Sequence, residues 1–245
     1  MISSLSGGFY FLVKGLRLIT RPGLRRFVLL PLFINVLIFS GALWLGVYWF
    51  DQFMQWILPS WLGFLEYILW PLFALSFLVV GFYSFSLIIN VIAAPFNGLL
   101  AEQTEKLLRG EQTEFTDASL KALIRTAPAM IWNELVKLFY FLLRAIPLLI
   151  LFLIPGLNLL APLLWFIFSA WMLSLEYLDY PMGNHSILFK QAREQAREKR
   201  SLCLGFGSGA TLLTMIPIAN FIAMPVAVCG ATSLWVEKFE SNSAP

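Results

Sequence analysis

The amino-acid sequence predicts an all-α integral membrane protein with two long transmembrane helices, two re-entrant helical hairpins and a cytoplasmic helical region. Three observations predict it. Hydrophobic residues make up 59% of the 245-residue chain, charged residues 13%, and mean hydropathy is +0.78; a soluble domain is typically ~45–50% apolar and ~25% charged. Two apolar runs, 27–50 and 67–95, are each long enough to cross a ~30 Å hydrocarbon core. Two later runs, 145–175 and 202–236, are too long for one comfortable crossing, too short for two, and broken in the middle by proline.

Taken in order, residues 1–20 mix Phe9, Tyr10, Phe11, Leu12, Leu16, Leu18 and Ile19 with Lys14 and Arg17. That pattern suits an amphipathic helix lying in the interface. It lacks a charged region ahead of its apolar residues and a small-residue cleavage site, so it reads as retained. Arg21-Pro22-Gly23-Leu24-Arg25-Arg26 then leads into the first span. Proline suits the first turn of a helix, and Gly23 leaves backbone N–H groups open to close approach. Cations are disfavoured at the positive end of a helix dipole, by ~0.3–1 kcal/mol each, unless an anion is shared there. The hexapeptide therefore has two readings: cytoplasmic-side anchors of a membrane helix, or an oxyanion site of N–H groups and two guanidinium forks.

The span 27–50 is interrupted by Pro31 and Asn35, and an asparagine there either bonds a neighbouring helix or lines a pathway. Residues 51–66 form a short loop with Trp56 and Trp61, and Trp44, Trp49 and Trp70 flank it as an interfacial belt. The span 67–95 carries Asn90 and Pro95 at its far end, with Asn97 just beyond. From 102 to 144 the chain is amphipathic and charged, a cytoplasmic helical region with a turn near Gly110 and Thr113 and an N-cap at Thr116-Asp117. Glu102 and Arg109 lie seven apart on one helical face, placed either for a charged pore entrance or for a simple helix surface.

The hairpins 145–175 and 202–236 share the pattern I-P-x-x-N-x-x-A followed closely by proline: Ile154-Pro155 with Asn158, and Ile216-Pro217 with Asn220. Proline stops the first arm and asparagine bonds its own turn. An arm from Ala145 to Pro155 would reach only ~16 Å, about half the core. Lys190 to Arg200 is a charged helical connector with i,i+4 pairs around Glu194. Gly205 and Gly209 match the small-x-x-x-small pattern of close helix contact. All 17 Lys and Arg fall at 14–26, 106–144, 190–200 and 238. Two full crossings and two one-sided hairpins put every one of them, and both termini, in the cytoplasm.

A net charge of +3 gives no nucleic-acid signature. Cys203 and Cys229 lie in apolar surroundings, His185 is the only histidine, and the spans hold no paired carboxylates, so neither enzyme chemistry nor a metal or cofactor is expected. Glu176 and Asp179, at the end of a hairpin, read as interface residues. Broken helix tips inside a bilayer must be buried in protein or face water. That favours a solute pathway, built by a homo-oligomer because two spans and two half-hairpins cannot enclose one alone. The alternative is a membrane scaffold or assembly factor without transport activity.

Gly23-Leu24-Arg25 with Arg26, the segment Ala93-Ala94-Pro95-Phe96-Asn97 and the paired Pro/Asn turns carry a resemblance that extends over essentially the whole chain. The chain resembles the CysZ family of bacterial inner-membrane sulfate permeases. The resemblance implies sulfate uptake for cysteine biosynthesis without an ATP-binding subunit, and an oligomer. It maps sulfate binding to the backbone of Gly23 and Leu24 and the side chains of Arg25 and Arg26, which favours the oxyanion reading. Pathway positions are expected at Asn35, Asn90, Asn97, Glu102 and Arg109. Sulfite and related tetrahedral oxyanions would make similar demands on the same groups.

Overall fold

The computed structural model describes the backbone of residues 2–57, 60–111 and 117–240. It describes their side chains outside 2–4, 27–28, 30–32, 34–35, 39, 57, 60–62, 66, 78–95, 117–134, 217–218 and 221. The described chain is helical: α1 (Ile2–Leu18), α2 (Arg25–Ile57), α3 (Glu66–Arg109), α4 (Asp117–Leu153), α5 (Ala161–Asn184), α6 (Phe189–Glu198), α7 (Arg200–Met215) and α8 (Pro217–Lys238). Short 3-10 helices occupy Ser60–Leu65 and Leu157–Leu159. Residues 1–28 with 97–245 form one compact unit, and 29–96 a second.

The second unit is an antiparallel pair made by α2 and α3. Phe50 stacks on Phe73 at 3.8 Å, Trp70 meets Phe50 edge-on at 4.8 Å, and Gly46 lies against the ring of Phe77. Trp44, Trp49 and Trp56 stand exposed on α2. The expected loop 51–66 is largely helical, because α2 continues to Ile57 and a 3-10 turn follows. The helix that carries the expected span 67–95 runs on: α3 is unbroken to Arg109, so the polar residues from Glu102 onward extend that helix. Gly110, at φ 75°, ends it, as its sequence position suggests; Thr113 and Thr116 lie outside the described residues.

The first unit packs α1, α5, α7 and α8 around one core with Phe189, Phe206, Leu234 and Trp235 fully buried. Helix α1 commits one face to protein: Gly8, Phe11, Leu12, Gly15 and Leu18, at helical spacing, are buried. A Cβ on Gly8 would overlap the backbone of Leu202 and Phe206, and one on Gly15 would overlap Val226 and Gly230. On α7, Gly205 meets the backbone of Leu5 and Gly209 meets Phe9 and Leu12, so the Gly205/Gly209 pair forms the close crossing that its spacing predicts. The opposite face of α1 still exposes Phe9, Tyr10, Val13 and Leu16, as an interfacial helix would.

Helices α4 and α5 make the first hairpin and α7 and α8 the second, with the breaks where the prolines stand. The two turns are built differently despite their shared residues. The first spans 154–160, with Gly156 at φ 87°; in the second only Ile216 is extended, and Pro217 begins α8. Asn158 and Asn220 bond their turns through the backbone, to the carbonyls of Ile154 (3.1 Å) and Ile216 (2.8 Å). The first arm is longer than expected from 145: the apolar stretch Leu135–Leu153 has 19 residues, enough by length and composition to cross a membrane, as are Val36–Trp56 and Ala161–Asn184. Lys137 and Arg144 mark a polar boundary in the sequence. In the fold Lys137 is buried in an ion pair and Arg144 lies 3.6 Å over the ring of Tyr140, so neither ends the apolar run. Helix α6 forms as the connector, but among the described residues none of its charged side chains is in an ion pair, so the pairs expected around Glu194 are not made.

Candidate oxyanion site

The hexapeptide forms the turn that joins α1 to α2. The amide of Arg21 donates to the carbonyl of Leu18 (2.9 Å), and the amide of Leu24 donates to that of Arg21 (3.2 Å). Gly23 adopts φ 95°, a left-handed conformation costing roughly 1–2 kcal/mol for an L side chain. Leu24 is fully buried in the core and pins the turn to the first unit. Helix α2 then starts at Arg25, which places Pro22 in the turn and not in the first helical turn as its sequence context suggests.

The four residues thus play three separate parts. Glycine permits the reversal, leucine fixes it, and the arginines open the helix. The amides of the first turn of α2 have no intrahelical acceptor. Arg25 Nε donates to the carbonyl of Thr20 at 2.6 Å, which holds the guanidinium beside the turn, and the Thr20 hydroxyl closes back on the Arg17 carbonyl at 2.8 Å. Arg25 and Arg26 are both exposed. Anchored donors and two cations at one helix N-terminus suit a tetrahedral oxyanion by charge and by geometry.

Of the expected pathway positions, Asn35 lies on α2 and Asn90 on α3, with side chains outside the described residues. Asn97 is buried, and its amide donates to the Tyr180 hydroxyl (3.4 Å) and the Met224 sulfur (3.2 Å), tying α3 to α5 and α8. Glu102 and Arg109 are not joined to each other. Glu102 pairs with Lys106 at 2.6 Å, whereas Arg109 pairs with Glu105 (2.5 Å) and with Glu240. His185 completes that second group, with Nε2 at 2.8 Å from Glu105.

Sequence reasoning missed two constellations. Buried Lys137 is held between Glu176 (3.1 Å) and Asp179 (3.0 Å) of α5; the i,i+3 spacing of those carboxylates was the available signal. The His185–Glu105–Arg109–Glu240 chain joins segments far apart in sequence, and no local pattern announces it.

The family model described as "Sulfate transporter CysZ/Etoposide-induced protein 2.4" matches residues 11–225. A protein of Pectobacterium atrosepticum named "Sulfate transporter CysZ" is 46% identical over 244 aligned residues, which cover 97% of this chain and 87% of that protein. The family is one of transporters and not of enzymes. On that match and identity, the chain belongs to the sulfate transporter CysZ/etoposide-induced protein 2.4 family.

Proposed function

We propose that this protein is a sulfate channel or permease of the bacterial inner membrane that imports sulfate for cysteine biosynthesis. Its oxyanion site is the turn Gly23–Arg26. The observation that carries the reading is the construction of that turn: a left-handed glycine, a buried leucine and an arginine tethered to Thr20 converge on one helix N-terminus. Family membership and the name of the 46%-identical relative supply the anion. Because the Leu24 amide already serves Arg21, the amides of Gly23, Arg25 and Arg26 are the main-chain donors best placed for sulfate.

Two full crossings and two half-penetrating hairpins, with both termini cytoplasmic, account for the charges; an even number of full crossings would do so too, and length favours the hairpins. Helix α7, at 16 residues, is about 24 Å long, short of the ~30 Å core. In the first hairpin, Arg144 and the hydrogen-bonded pair Trp171–Tyr140 (3.0 Å) form a polar and aromatic level. Only Ala145–Leu153 of α4 lies between that level and the tip, about 14 Å. Leu135, Leu138 and Phe139 on the other side of that level, and Leu142 and Leu143 at it, are exposed and are then covered by further copies in a homo-oligomer. A turn on the cytoplasmic face meets imported sulfate after passage, so it can collect or sense the ion and need not be the filter.

Equilibrium titration of the purified protein with sulfate tests the site. Wild type binds, and Arg25→Ala/Arg26→Ala binds at least ~100-fold more weakly, since two charge-assisted contacts of ~1.5–3 kcal/mol each are lost. Unchanged affinity in a folded, assembled double variant overturns the assignment.

A further inference from the structure

A second basic site lies away from the turn. A cavity of about 500 Å³ opens between α4, α5, α6 and α7 and is lined by Arg144, Arg197 and Arg200 together with Tyr140 and Trp171. Arg200 stands 5.8 Å over the Trp171 ring, and a fourth guanidinium, Arg193, lies 5.0 Å over Tyr140 with its buried Nε unsatisfied. Among the described residues none of these four arginines is paired with a carboxylate. Gathered cations that have no carboxylate partner among the described residues are unfavourable unless an anion is supplied.

The remaining lining is apolar, and its placement is ordered. Leu148 lies one turn nearer the hairpin tip than Arg144, Leu164 and Ile167 lie nearer it than Trp171, and Leu204 lies one turn beyond Arg200 on α7. Polarity therefore falls from the base of both hairpins toward their tips, on three helices at once. That gradient matches a molecule with a phosphate at one end and hydrocarbon at the other. A free inorganic oxyanion has no use for the leucines.

We propose that this cavity binds an anionic phospholipid of the cytoplasmic leaflet, its phosphate held by Arg144, Arg197 and Arg200 and its acyl chains lying along Leu148, Leu164 and Ile167. Basic pockets between membrane helices on the cytoplasmic side are suited to anionic headgroups. The aromatic residues Tyr140 and Trp171 fit the headgroup level. The bound lipid seals the wedge between the two hairpins and so couples their packing to membrane composition.

The test is native mass spectrometry of the full chain in a non-ionic detergent, titrated with phosphatidylglycerol or phosphatidylcholine of identical acyl chains. Phosphatidylglycerol is expected to bind about 100-fold more tightly, because phosphatidylcholine brings a quaternary ammonium with its phosphate and so forfeits the attraction of three arginines for a net negative headgroup, roughly fivefold each. Arg144→Gln/Arg197→Gln/Arg200→Gln should bring it down to the phosphatidylcholine level, with an unchanged thermal transition in phosphatidylcholine confirming the fold. Ile167→Ser should weaken phosphatidylglycerol and leave glycerol phosphate unaffected. Equal binding of the two lipids, or phosphatidylglycerol binding that survives the triple change, overturns the proposal. Competition by inorganic phosphate as strong as by the lipid would assign the site to a free anion. A triple variant that loses its oligomer but keeps the lipid would assign the cavity to a second copy. Either of these two outcomes also overturns it.

Discussion

Replacing Gly205 with alanine should loosen α1 from the bundle, whereas the same replacement at Gly41 should not. Both glycines lie inside helices, α7 and α2, so alanine relieves a helix-propensity penalty of up to ~1 kcal/mol at either. Their surroundings differ. A Cβ at Gly205 would overlap the carbonyl oxygen of Leu5 and lie 2.7 Å from its carbonyl carbon and 2.9 Å from its Cα, whereas among the described residues nothing lies within 4 Å of one at Gly41. The obstruction at Gly205 is main chain, so no rotamer relieves it and the helices must separate. Overpacking of this kind costs about 1–3 kcal/mol, and contact with backbone belongs at the upper end. After the propensity gain, a net loss of about 2 kcal/mol is expected, or roughly 4–8 °C in Tm for a chain of this size. Thermal unfolding of the purified protein in detergent reads it. Gly8→Ala, which lies on the same crossing and would meet Gly205 at 3.0 Å, should destabilise similarly. The double variant should lose less than the sum, because one displacement relieves both clashes. A Gly205→Ala protein as stable as Gly41→Ala would refute this account of α1.

Two further outcomes follow from the same geometry. Lys137→Ala should destabilise by about 3 kcal/mol, because it removes the cation that Glu176 and the largely buried Asp179 share; Lys137→Met/Asp179→Asn should recover much of that loss in the same unfolding assay. Gly23→Ala should strain the turn by about 1–2 kcal/mol and weaken sulfate binding severalfold in an equilibrium titration, while Tm falls by only a few degrees.

The fold's inventory was legible where the chain solves a local problem. Apolar runs announced α2 and α3, proline and asparagine announced both hairpin turns, and the Gly205/Gly209 spacing announced a close crossing that α1 fills. What the sequence concealed was tertiary. Charge normally marks the end of a membrane segment, so Lys137 and Arg144 read as boundaries. Burial against Glu176 and Asp179, and stacking on Tyr140, let the apolar stretch of α4 continue past both charges, although Arg144 still marks a polar level within it. Glu102 and Arg109 shared a helical face but found different partners, because Glu240 and His185 arrive from elsewhere in the chain. The turn Gly23–Arg26 was legible in its residue types. Its division of labour was not, since nothing local says that Leu24 reaches the core or that Arg25 is tied to Thr20.

The central claim is that this chain moves sulfate by itself, and flux into liposomes reconstituted with it as the sole protein tests that most directly. Labelled sulfate should enter down its gradient without ATP, in proportion to the protein incorporated, and excess unlabelled sulfate should compete. Liposomes containing the folded, oligomeric protein that take up sulfate no faster than empty ones would contradict the account and leave a membrane scaffold in its place.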